Sequence, residues 1–171
     1  MKFTKRALRA LIREAIGKDR ILKERPWTVE YEFKLSGGIA SDSEGEGPDG
    51  FAIVMTSSSG RIVKVCVDSY WNPQAGDVNG NSIRIEMEGR DDFVASTYVP
   101  TRFDDGKRHS LTISNSPTAN VLCVSHSHLN EVPIVYLAVE NPFEEGEDLE
   151  FEVETVGNGE AEVTLKRHVN L

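Results

Sequence analysis

Trp27-Thr28-Val29-Glu30-Tyr31-Glu32-Phe33-Lys34-Leu35 alternates large apolar and polar residues without a fault. A period of two places every second side chain on the same side of an extended chain, so this stretch predicts a strand with one buried face. Pro26 directly before it stops any preceding helix. Downstream, the same grammar repeats as short apolar segments separated by turn residues. The expected strands cover residues 51–56, 61–68, 82–88, 93–99, 109–114, 120–126, 134–140, 149–156 and 160–169. Ser57–Gly60, Gly89–Asp92, Asp104-Asp105-Gly106 and Gly157-Asn158-Gly159 supply turns, and residues 36–50, with their glycines among Asp and Glu, read as an exposed loop. About ten strands and no second helix predict an all-β protein, an antiparallel β-sandwich or jelly roll. The last two strands around Gly-Asn-Gly read as a hairpin, with Phe151, Val153, Val163, Leu165 and Val169 on its buried face.

The residues before Pro26 differ in kind. Phe3, Ala7, Leu8, Leu11, Ile12, Ala15 and Ile16 recur at helical spacing while Lys2, Lys5, Arg6, Arg9 and Arg13 take the other face. Thr4 suits an N-cap and Gly17 a helix stop, so a short basic amphipathic helix is expected. Residues 1–25 hold nine Lys/Arg against three Asp/Glu, and residues 26–171 hold ten against twenty-five. The chain therefore divides into a basic helix with linker, 1–25, and an acidic sandwich, 26–171, whose charge of −15 weighs against nucleic acid and anionic membranes as its partners. The longest uncharged apolar stretch, residues 132–139, is too short to span a bilayer as a helix.

Chemistry-bearing residues are sparse. Cys66 and Cys123 read as buried free thiols rather than a disulfide framework. His126 and His128 stand two apart, on one face of a strand, but with only two ligands in evidence no metal site is assigned, and His109 and His168 read as isolated. No nucleophile elbow is present, and no acid/base pair stands out, so an enzyme is not expected. Asp77, Asn79 and Asn81 place oxygen ligands at alternate positions, with Asp68 nearby, and Tyr70 and Trp71 stand beside them. The match to a helix–loop–helix calcium loop fails, because Ser82 stands where glycine is required and the following residues alternate like a strand. A strand-connecting loop that binds calcium, or stacks sugars on its aromatic rings, remains the second reading: a carbohydrate- or calcium-binding recognition module. No other cofactor is expected.

The opening Lys2-x-Thr4-Lys5-Arg6-x-Leu8-Arg9-x-x-Ile12-Arg13-Glu14-Ala15 resembles a leader found on virion proteins of large contractile-tailed phages. The resemblance covers about a tenth of the chain and implies a structural or accessory virion protein such as a decoration protein, made in the host cytoplasm and assembled with other virion proteins as an oligomer. It also implies docking through Lys5, Arg6, Leu8, Arg9, Leu11, Ile12, Arg13 and Ile16, and cleavage after Glu14 by a maturation protease. The sandwich itself matches no family in this reading.

Overall fold

The computed structural model describes residues 26–36, 48–69, 81–90, 94–100, 102–116, 119–128, 132, 135–144, 146–157 and 160–170. The expected N-terminal helix and its docking residues lie outside that set. The described residues form ten strands: β1 (Trp27–Ser36), β2 (Pro48–Ser57), β3 (Ile62–Asp68), β4 (Ser82–Met87), β5 (Ala95–Tyr98), β6 (His109–Ser116), β7 (Val121–His128), β8 (Val135–Glu140), β9 (Leu149–Gly157) and β10 (Glu160–Asn170). They pair antiparallel into two five-stranded sheets, ordered β10-β1-β6-β7-β8 and β5-β4-β3-β2-β9. No helix among the described residues is long and apolar enough to cross a membrane.

Every expected strand is present, and β2 starts three residues earlier than the sequence pattern suggested, at Pro48. Alternation explains the layers. Val29, Tyr31, Phe33 and Leu35 of β1 are buried and face Phe51, Ile53 and Met55 of β2 across the sandwich, with Val63, Val65, Val67, Ile83 and Ile85 completing the second sheet's inner face. The rings of Phe33 and Phe51 meet at 4.9 Å between the sheets. Burial of each such side chain contributes about 1.5–3 kcal/mol, so the two facing stripes supply the main drive to fold.

The expected C-terminal hairpin is not formed. β9 pairs with β2 and β10 with β1, so the chain changes sheet between Gly157 and Glu160. An alternating strand presents the same ladder and apolar face to any partner, and β1 and β2 each had an open side. β9 and β10 are therefore edge strands. Val153 and Leu165 lie opposite Ile53 and Tyr31 in register, yet they stay 42% and 52% exposed, because an edge leaves the inner face open at its flank. Phe151 and Val163 are only half-buried for the same reason, whereas Val169, expected on the same face, lies opposite Thr28 on the outer face because a slip in the β1–β10 register reverses the alternation.

The β1–β10 ladder also slips by one residue. Glu30 faces Arg167 and Tyr31 faces Leu165, which leaves Lys166 as the inserted residue of a bulge. Its ammonium reaches Glu32 at 3.1 Å on the outer face of the first sheet, where Arg108 grips the other carboxylate oxygen.

Candidate functional site at one end of the sandwich

Three histidines meet where β6 and β7 begin and end. The register pairs His109 with His128 and Leu111 with His126, so alternation puts all three rings on the inner face of the first sheet. His109 and His126 have no exposed surface, and Phe33 stacks on the His109 ring at 5.2 Å. Asp105 comes from the turn before β6, whose shape is set by Gly106 at φ 73° and by the Lys107 N–H donating to Asp105 Oδ1 at 2.8 Å. That turn carries the Asp105 carboxylate to 3.0 Å from His109 Nε2.

The hydrogen bonds run in one direction. Partial burial works against ionisation of Asp105, but the Lys107 N–H and His109 outweigh it and lower its pKa. An ionised Asp105 accepts, so His109 Nε2–H donates to it and His109 Nδ1 becomes an acceptor. Nε2 of His126 lies 3.0 Å from that Nδ1 and donates. His126 Nδ1 is then left buried without a partner. Burial lowers the pKa of both rings, with the neighbouring histidines adding to the effect on His126, which falls to about 4, while Asp105 offsets part of it at His109. Both are neutral at pH 7.

Ligand atoms of Asp105, His109 and His128 all lie within 4.8 Å of one another. The sequence singled out His128 only as the neighbour of His126, and His126 is not among these three ligands. His109 joins through the β6–β7 register and Asp105 through a turn, and an Asp-x-x-x-His run ahead of the His-x-His strand was the available signal. His168 lies elsewhere, against the Phe151 ring at 5.7 Å.

The same end of the sandwich holds the described part of the oxygen-rich loop. Asp68 closes β3 opposite Ser82, and Asn81 directly precedes Ser82, so the two side chains flank residues 69–80. Both are polar and nearly buried, at 7% and 8% exposure. Asp68 is paired with Arg84 at 3.2 Å. Asn81 accepts from the Phe103 N–H at 3.4 Å, and its own carbonyl accepts from Val99 N–H at 2.9 Å. Phe103 in turn packs its ring 5.1 Å from His126, which joins the two groups. Tyr70, Trp71, Asp77 and Asn79 lie outside the described residues.

The thiols play no part in either group. Cys66 and Cys123 are unpaired and belong to different sheets. Burial, with help from Glu86, pushes Cys66 up to about 12, which leaves it protonated and a poor nucleophile.

No family model matches the chain, and no curated protein matches it in sequence. Solved structures do share its fold. Lectin I-B4 from Griffonia simplicifolia, in a metal-free form, superposes with a TM-score of 0.65 at 17% identity, over 85% of this chain and 72% of the lectin. The exoplasmic/lumenal domain of VIP36, in a form bound to Ca2+ and Man3GlcNAc, gives 0.62 at 14% identity, over 86% and 69%. Peanut lectin, with a bound nonamer peptide, gives 0.59 at 14%, over 82% and 68%. The fold is thus that of a lectin-like β-sandwich. This overturns the expectation of a virion structural protein located in a phage particle: the sandwich that was expected to be a decoration or accessory body is shared with plant lectins and a lumenal lectin-like domain. The leader resemblance rested on about a tenth of the chain, whereas the fold covers most of it.

Proposed function

We propose that the protein is a carbohydrate-binding module whose site is the oxygen-rich loop between β3 and β4. The observation that carries this reading is the placement at one end of the sandwich of Asp68 and Asn81, two nearly buried polar side chains that in sequence flank Tyr70, Trp71, Asp77 and Asn79. Two aromatic rings offer stacking faces for a pyranose, and amide and carboxylate oxygens accept from its hydroxyls. The lectin-like sandwich supports the reading as an analogy of fold.

Calcium fits the donor chemistry of this loop. Asp68, Asp77, Asn79 and Asn81 are residue types that ligate through oxygen, the atom that calcium takes, and a bound ion would hold the loop in shape and add a cationic contact for sugar oxygens. Asp68 and Asn81, fixed by the β3 and β4 ends, would be the rigid members of that set. Binding here involves no bond-making step.

The test is a glycan array and calorimetry on the full chain, with calcium and with chelator. Mannose-containing glycans and galactose, bound by proteins of the same fold, are the first sugars to try. Calcium-dependent glycan binding that is lost in Trp71→Ala and Asp77→Asn is the expected result. Binding to no glycan, or binding that ignores both substitutions, rules the reading out.

A further inference from the structure

We propose that Asp105, His109 and His128 form a second site, for a zinc-class divalent cation, distinct from the calcium loop. Two imidazole nitrogens and one carboxylate oxygen are a borderline donor set, which suits zinc and its first-row neighbours and is poor for calcium. The three donors come from a turn and two paired strands, so the backbone holds them together before any ion arrives.

Their spacing is close to what such an ion needs. Bonds of about 2.0–2.1 Å in a tetrahedron put neighbouring ligand atoms roughly 3.4 Å apart. Asp105 Oδ1 is already 3.0 Å from His109 Nε2, and the whole set lies within 4.8 Å. The remaining adjustment falls to Asp105, which is exposed, and His128, which is half-buried, while His109 is locked beneath Phe33. Three protein ligands leave a fourth position open to water or to a further ligand.

His126 completes the arrangement as the outer partner of a ligand. A metal on His109 Nε2 takes the place of the proton shared with Asp105, so a neutral His109 carries its proton on Nδ1. Nε2 of His126, 3.0 Å away, accepts that proton's hydrogen bond, and the His126 proton moves to Nδ1. Both rings stay neutral and the proton count does not change. The buried Nδ1 of His126 has no partner to lose in this exchange. Such outer hydrogen bonds fix the ring orientation of a ligating histidine.

The full chain, stripped with EDTA and dialysed, is titrated calorimetrically with Zn2+ and Ca2+ and spectroscopically with Co2+. One equivalent of zinc is expected, with a visible Co2+ absorption band that zinc abolishes and calcium leaves unchanged. Asp105→Asn and His128→Gln, both at positions with solvent access, are expected to weaken zinc at least tenfold. Asp105→Cys, which restores an anionic zinc ligand, is expected to recover binding and so separates loss of a ligand from loss of the fold. Absence of stoichiometric zinc uptake, or zinc affinity unchanged in both Asp105→Asn and His128→Gln, overturns the proposal. Glycan binding at the other loop is read separately, so either reading fails without the other.

Discussion

His109 Nδ1 lies 3.0 Å from His126 Nε2 inside the sandwich, with Phe33 stacked on one ring and Phe103 edge-on to the other. Charging either ring would bury a cation among aromatics, and the cost appears as a lowered pKa. In the unfolded chain His126 takes its proton near 6.5, and in the folded protein only at about 4. Between those values the unfolded state binds more protons, so stability is complete above 6.5 and falls as pH drops through the window. In chelator-treated protein the unfolding free energy from urea titrations should decline from pH 7 to pH 4, by up to about 3 kcal/mol from this group. His126→Gln keeps an N–H facing His109 but does not titrate, so its decline should be shallower. An equal slope in both proteins would place the acid-sensitive group elsewhere.

Gly50 has φ 128°, and a Cβ built there would stand 1.8 Å from the Val67 carbonyl oxygen on the adjacent strand. Both the dihedral and the close approach demand glycine. Gly50→Ala should destabilise the protein by at least ~3 kcal/mol, because the β2–β3 ladder must open to admit the methyl group. Gly60→Ala is the control, since nothing lies within 4 Å of its added Cβ and only its φ of 89° is strained. Thermal melts of the two variants should differ clearly, with Gly50→Ala the lower.

Strand positions were legible because a half-buried strand writes its period directly into the order of apolar and polar residues. Partner choice was not. β9 and β10 carry good turn residues between them, yet each joins a different sheet, since turn chemistry is local and sheet assignment depends on which strand edges are open elsewhere. The cluster of histidines with Asp105 divides in the same way. His126 and His128 share a face by spacing alone, whereas His109 and Asp105 join only through the β6–β7 register and a turn that reads as mere turn chemistry. Asp68 and Asn81 were legible as a pair of oxygen donors, but their burial, and their link through Phe103 to His126, follow from tertiary packing.

Glu32 should carry stability that disappears in acid. Its carboxylate lies between Lys166, delivered by the β10 bulge, and Arg108, and the hydrogen bond from Lys166 is the largest influence lowering its pKa below 4.5. A depressed folded-state value stabilises above the unfolded value, and the benefit fades as pH falls through the folded one. Glu32→Gln should therefore lower the denaturation midpoint at pH 7, and the gap to wild type should narrow steadily below pH 4.5. A gap that stayed constant with pH would mean that packing, not charge, is what the substitution removes.

Cys66 should be chemically quiet in the folded protein. It lies on the outer face of the second sheet, between Ala52 and Arg84 in register, and burial is the main reason its pKa reaches about 12. At pH 8 almost none of it is thiolate, and the thiolate is the species that alkylates. Native protein treated with iodoacetamide at that pH should keep Cys66 unmodified over times that fully label the urea-unfolded chain, as peptide mapping by mass spectrometry would show. Rapid labelling of native Cys66 would instead require an accessible, ionised thiol and would reopen the case for covalent chemistry on this face.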